Sequence, residues 1–357
     1  MFKKWIKVTS ILLLFVFSGY SSELGKPSKA NLQLCSGTNL NHTWGTASLE
    51  NIRGRGGKAA YLNQDRCFVK KILAGLAFGV FDGHGSNGAK ISQTVMDLMV
   101  KKLEKIDQSQ LKEEEISLIF QQVNSELEKK QVKYSGTTGV LGILNGSQLV
   151  VAYVGDSRLI LMRDGKQVDA TTDHTAAVLS EEKRIEEFIE KLKHNDVPLI
   201  ASLLTRQGFS REEVENWDST FRGITRDKKL GVDGNKLAVT RAFGDDNFTL
   251  SGLSCEPGWK KIEVKEGDTI IVVSDGIFEG RRGSPYEQNA MVISELKDSK
   301  AAPDLKTLAE SLTAICRGDD GKNDHQFLFN DDTTRRRWSK DDITVCLIKV
   351  NSEKAKN

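Results

Sequence analysis

The chain has no Cys-x-x-Cys pair: Cys35, Cys67, Cys255, Cys316 and Cys346 are odd in number and spread over 357 residues. That spacing excludes a cysteine-built zinc site, and none of the five sits in a glycine-rich loop that would cradle phosphate around a thiolate nucleophile. Cys67 and Cys346 fall in strand-like runs, where a thiol acts as a small buried hydrophobe. One disulfide stays open in an oxidising compartment, with partners that sequence does not choose. An excess of charge is also missing: 51 Lys+Arg against 49 Asp+Glu leave +2. A nucleic-acid backbone or an anionic membrane surface is therefore not an expected partner. Internal repeats and low-complexity tracts are absent. The apolar run "ILLLFVF", Ile11 to Phe17, is far shorter than the ~20 residues of a membrane-spanning helix.

That run has a different meaning in its context. Lys3, Lys4 and Lys7 precede it and the small, polar "SGYSS" follows, which is the layout of a secretory signal peptide over residues 1–21 or 1–22. Export through the secretory pathway is the expectation; left uncleaved, the same segment would anchor the chain to a membrane. No cysteine follows the run closely, which argues against lipid attachment there. Residues 23–40 read as a polar leader, 41–351 as the folded domain and 352–357 as a tail. The sequons at Asn41 ("NHT") and Asn247 ("NFT") would take glycans only in a eukaryotic secretory route.

Within the domain the hydrophobic period switches repeatedly. "CFVKK" and "GLAFGVFD" read as neighbouring strands. Ile91, Val95, Leu98, Met99 and Leu103 keep helical spacing, and "EEEISLIFQQVNSELEKK" gives a second amphipathic helix. Asn145-Gly146 and Asp164-Gly165 signal hairpins in a meander. The helical period returns from Leu179 to Leu192, Pro285 to Leu296 and Pro303 to Cys316, and "ITVCLIKV" closes the domain as a strand. Strands outnumber the βαβ units of a parallel sheet, so the class is α+β with antiparallel sheets covered by helices.

Four times an apolar strand ends or begins on aspartate: "VFDGHG" (Asp82), "AYVGDSR" (Asp156), "IVVSDGIFE" (Asp275) and "SKDDITV" (Asp341, Asp342). One such aspartate is turn chemistry; four suggest convergence on one rim, where carboxylates repel unless a cation sits among them. All-oxygen donors call for a hard ion, Mg²⁺ or Mn²⁺. Two ions sharing one carboxylate would hold a bridging water and lower its pKa, supplying hydroxide at neutral pH.

In this order "FGVFDGHG", "SGTTGVLGIL", "VAYVGDSRLILMRDGK", "DHTA", "LAVTRAFGD", "IIVVSDGIFE" and "DDITVCLI" resemble the metal-dependent protein phosphatases of the protein phosphatase 2C type. The resemblance runs from about Thr43 to Val350. It implies a four-layer α-β-β-α sandwich, two central antiparallel sheets flanked by helices, with a two-metal centre at one end and a third, weaker ion. It implies hydrolysis of phosphoserine and phosphothreonine esters in phosphoproteins by a metal-bridging hydroxide. Asp82 then matches the carboxylate bridging both ions and the Gly83 carbonyl a ligand of the second. Asp275 and Asp341 match ligands of the first, and Asp156, with Asp275 and Glu279, attends the third. His84 matches the general acid that protonates the departing alkoxide, and Thr138 a support close to the metals.

The match departs from the family pattern near the amino end. In "YLNQDR" Gln64 stands where relatives carry an acid, while Asp65 remains; the swap removes negative charge and lowers the expected metal affinity. The phosphate-gripping base is Arg55 or Lys58, in a lengthened Gly-rich loop. Residues 195–234 correspond to a flap-like insertion beside the cleft. A monomer without a stable membrane span is expected. The alternatives are a pseudophosphatase that keeps the fold as a binding module, and a phosphatase of small phosphate esters.

Overall fold

The computed structural model describes residues 32–38, 42–49, 63–130, 132–193, 221–232, 234–279, 281–298, 304–317 and 341–351. The expected signal peptide, the leader up to residue 31, Asn41, Arg55, Lys58, residues 195–220 and the tail 352–357 lie outside the described residues.

The apolar runs assemble into two antiparallel sheets. One has six strands, in spatial order Leu32–Thr38, His42–Leu49, Ile343–Val350, Thr269–Val273, Arg158–Arg163 and Lys166–Ala170. The other has five: Gly258–Glu263, Gln148–Val154, Gly139–Asn145, Gly75–Phe81 and Arg66–Ile72. Asp164-Gly165 forms the second hairpin turn with both residues at positive φ, 49° and 70°. In the first hairpin Asn145 still pairs with Gln148, so the loop is Gly146-Ser147, one residue later than the Asn-Gly signal suggests. Gly146, at φ 57°, supplies the left-handed residue in the first loop position.

The strands are apolar on both faces because both faces are covered. Leu76, Phe78 and Val80 point between the sheets, where they meet Val151, Leu161, Val272, Cys346 and Ile348. Ala77 and Phe81, on the opposite face, pack with Leu141 and Ile143 beneath the helices Gly88–Leu103 and Glu113–Glu128, whose Val95, Met99, Phe120 and Val123 are buried there. On the far side Ile271, Val273, Val345 and Leu347 lie under Val292, Leu296, Ala309 and Leu312 of the helices Pro285–Asp298 and Leu305–Arg317. The result is the α-β-β-α sandwich that the resemblance implied. Phe78 is 0% exposed at its centre, and its replacement by alanine would cost about 3–5 kcal/mol.

Three sequence expectations need correction. The sheet starts before Asn41: Leu32–Thr38 pairs along its full length with Thr43–Leu49. The alternation in "LQLC" is too short, and too polar around its edges, to stand out from a leader. Part of the expected flap is ordered core: Phe221–Ile224, Leu230–Val232 and Asn235–Leu237 form a small sheet, and Leu230 and Val232 are buried with Ile185, Leu192, Phe248 and Leu250. Asn247 is only 2% exposed, and its Oδ1 accepts a hydrogen bond from the Tyr134 amide at 2.8 Å, so the folded chain offers no glycan acceptor there.

Next to this small sheet a carboxylate is buried in a fully paired state. Glu181 accepts from Nη2 of Arg241 at 2.5 Å, from Oγ1 of Thr240 at 2.7 Å and from Nη2 of Arg184 at 3.0 Å. Burial pushes its pKa up, but the bonds from Arg241 and Thr240 and the charge of Arg184 outweigh that and hold it at about 2. No disulfide joins Cys67, Cys255, Cys316 and Cys346.

Candidate metal centre

Both sheets deliver aspartates to the same end of the sandwich. Asp82 follows the strand Gly75–Phe81 and Asp65 precedes its neighbour Arg66–Ile72, both in the five-stranded sheet. Asp275 follows Thr269–Val273, and Asp341 and Asp342 precede Ile343–Val350, in the six-stranded sheet. Asp156 follows Gln148–Val154. The Asp82 and Asp275 carboxyl groups meet across the gap between the sheets, close enough to share a hydrogen bond. Residues 193 positions apart are thus in contact.

The backbone around Asp82 is braced on several sides. Its carbonyl accepts from the Thr138 amide and the Thr137 hydroxyl, each at 2.9 Å, and its amide donates to Oγ1 of Thr138 at 3.2 Å. Thr138 also shares a hydrogen bond with Ser157 at 2.7 Å. Gly155 (φ 90°) lies so close to Thr138 that a Cβ there would come within 2.5 Å of its methyl group. The Gly83 amide donates to the Gln64 carbonyl at 3.2 Å, and the Gln64 side chain donates to the Gly85 carbonyl at 2.9 Å. Gln64 therefore clamps the glycine turn. Asp342 is buried and accepts from the Gln64 amide at 2.7 Å, whereas Asp341, with Asp156, Asp173, Asp275 and Glu279, lines a cavity of about 360 Å³. The Asp341 amide donates to Oε2 of Glu279 at 2.9 Å.

Acids outnumber bases at this end, where Arg158 is the one basic side chain among the described residues that line the cavity. Burial, followed by the charges of Asp65 and Asp275, raises the pKa of Asp82 well above the carboxylate range. Burial and then Asp275 and Asp173 do the same to Asp156. Asp275 is raised by burial, with Asp341 and Glu279 adding to it against the hydrogen bond shared with Asp82. Asp65 is pushed up to about 7 by burial and Asp342, in spite of hydrogen bonds from Ser274 and Thr344. Its Oδ2 accepts from Ser274 at 2.7 Å, while Oδ1 is buried without a hydrogen-bond partner. A buried carboxylate oxygen left in that state costs free energy. Hard divalent cations fit such a donor set, all oxygen and over-rich in negative charge. Among the described residues no three His, Cys, Asp or Glu side chains already stand as a closed ligand cage; the acids surround the end of the sandwich with Asp82 and Asp275 in direct contact.

His84 lies just beyond, in the short strand Gly83–Gly85, with Nε2 2.5 Å from Oδ2 of Asp245. Asp245 was absent from the sequence reading although "RAFGDD" contains it. Asp173, in "DHTA", was missed too; it takes Arg158 in a fork with both contacts at 2.6 Å. Arg158 lies 4.0 Å over the Phe278 ring as well, so its guanidinium is committed to protein partners. Arg66 is spent on the Asn63 and Asp65 carbonyls and on Gln93.

The model of the family "Protein phosphatase 2C" matches residues 62–317. The chain belongs to that family, which assigns it to the protein phosphatases, hydrolases whose substrates are phosphoproteins. It is 29% identical over 299 residues to "Probable protein phosphatase 2C 72" of Arabidopsis thaliana, a match covering 77% of each chain. A phosphatase structure from Toxoplasma gondii superimposes with a TM-score of 0.62 at 18% identity, covering 92% of this chain and 98% of that one. The catalytic domain of the serine/threonine phosphatase PstP in complex with two manganese ions gives 0.50 at 17% identity, with 90% and 100% covered. At those identities the structures bear on the fold alone. No helix among the described residues is long and apolar enough to cross a membrane.

Proposed function

We propose that this chain hydrolyses phosphoserine and phosphothreonine esters of phosphoproteins with Mg²⁺ or Mn²⁺ bound among its rim aspartates. The observation that carries the reading is the approach of Asp82 to Asp275, two acids from different sheets whose pKa values are raised by burial and by further acids. Asp82, the Gly83 carbonyl, Asp275 and Asp341 would hold two ions, and Asp156 with Glu279 a third. When bound, the ions neutralise a phosphate ester carrying about −2 charge and lower the pKa of water, supplying a nucleophile.

The chain's own residues do the rest. Thr138 fixes Asp82 through both its amide and its carbonyl. Gln64 and Asp342 hold the Asp82–Gly85 turn against the six-stranded sheet. His84 offers a ring proton to the departing alkoxide oxygen. Arg55 or Lys58 would grip the phosphate. Export by residues 1–22 belongs to the same proposal, and an intact Met1 on amino-terminal sequencing of the mature protein would reject it. Activity is tested with a phosphothreonine peptide in Mn²⁺ and again after EDTA: turnover should appear in the first and vanish in the second, and equal rates would reject metal-assisted hydrolysis. A binding module without catalysis is the second reading. It is favoured by Gln64, whose uncharged amide is spent on the Gly85 carbonyl rather than adding charge to the site.

A further inference from the structure

Asp245 is buried at 2% exposure, in the left-handed backbone region at φ 52°, which few non-glycine residues adopt. Its amide donates to the Ser135 carbonyl at 3.1 Å, and its Oδ2 meets Nε2 of His84 at 2.5 Å. Main-chain pairing fixes this meeting. Gly83–Gly85, which carries His84, and Phe243–Gly244, which leads into Asp245, flank the same strand, Ser135–Thr137. That strand lacks a side chain where the two groups meet: a Cβ on Gly136 would fall 2.1 Å from Oδ2 of Asp245 and 2.8 Å from Nε2 of His84. The imidazole, with its side chain 29% exposed, therefore has one edge held in the protein and another open. The loop is already secured by its backbone ladder, so a carboxylate in an unusual backbone conformation is not needed merely to hold it.

We propose that Asp245 is the positioning residue for His84: its carboxylate accepts Nε2–H, fixes the ring's plane and tautomer, and leaves Nδ1 as the nitrogen that serves the departing alcohol. The second half of that statement rests on the phosphatase reading above. In the step it serves, the ring starts with a proton on both nitrogens: the bond between phosphorus and the alcohol oxygen breaks, that oxygen takes the proton from Nδ1, and the ring is left neutral with its remaining proton on Nε2 toward Asp245. Water supplies the oxygen that phosphorus gains, and a proton from that water restores the ring. A carboxylate behind the ring fixes its orientation, as in other Asp–His pairs.

Two readouts on the full chain test this. Long-range ¹H–¹⁵N correlation of His84 needs no turnover: at a pH where the ring is neutral the wild type should be the Nε2-protonated tautomer, and Asp245→Ala should give a mixture. Identical spectra would overturn the proposal. The second readout compares kcat/KM for a phosphothreonine peptide, whose alkoxide needs a proton to leave, with p-nitrophenyl phosphate, whose phenolate leaves without one. Asp245→Asn, which keeps the shape and tolerates the left-handed conformation, should lower the first by about 10²-fold and the second far less. An equal loss on both substrates would assign Asp245 to the fold alone and overturn the proposal. If the wild type turns over neither ester, the phosphatase reading fails, and the spectra still decide whether Asp245 orients His84.

Discussion

Glu181 and Asp82 are both carboxylates drawn largely out of water, and the protein treats them in opposite ways. Glu181 is surrounded by Arg241, Arg184 and Thr240, and its pKa is held at about 2. Asp82 has Asp65, Asp275 and Asp156 as its charged neighbours and is raised well above the carboxylate range. The first arrangement completes itself within the chain. The second is costly unless positive charge comes from outside, and the protein nevertheless braces it through Thr138, Ser157, Gln64 and Ser274. Strain kept in place by surrounding structure marks function more reliably than burial does.

The largest effect is expected at Asp82. Asp82→Asn should cut phosphothreonine turnover by about 10³-fold or more, while the thermal midpoint measured in chelator stays level or rises, since one of the repelling charges is gone. A fall in both would mean that Asp82 is structural. Glu181→Gln should do the reverse. Leaving Arg241 and Arg184 without their counter-charge should cost about 3–5 kcal/mol in urea unfolding, with turnover per folded molecule unchanged.

Asp246 sharpens the contrast as an intermediate case. Burial, then Glu128 and Asp245, push its pKa up to about 7 from an ordinary 3.8. The fold thus favours its protonated form, a contribution fully present below about pH 4 and lost as pH rises through 7. Asp246→Asn should therefore gain about 1–2 kcal/mol at pH 8 and nothing at pH 4, read by unfolding at the two pH values. A gain of equal size at both would refute the electrostatic cause. At the small end, Leu73, 77% exposed on its turn, should tolerate serine within about 0.5 kcal/mol.

Much of this was legible in the sequence because strands announce their ends. Asp82, Asp156 and Asp275 each terminate an apolar run, and Asp341 opens one, so one periodicity located both the sheets and the acids. Asp245 escaped for the opposite reason. It follows a strand of two residues, Phe243–Gly244, and reads as turn chemistry; its partner is 161 positions away, a pairing that topology alone creates. Leu32–Thr38 was missed because a sheet edge gains its identity from the neighbour it pairs with, and that neighbour begins only at His42. The sequon at Asn247 was visible, but its burial was not. Between the adjacent Asp341 and Asp342 only the resemblance chose, since the residues alone do not separate them; in the structure they point different ways, Asp342 to the Gln64 amide and Asp341 to the cavity.

Under the proposed function, carboxylates from two sheets share divalent ions. Calorimetric titration of the full chain with Mn²⁺, repeated on Asp82→Asn, tests that sharing directly. Saturable two-site binding in the wild type, with both sites weakened by the single substitution, is the predicted result. Identical titrations of the two proteins, or no heat from either, would contradict it.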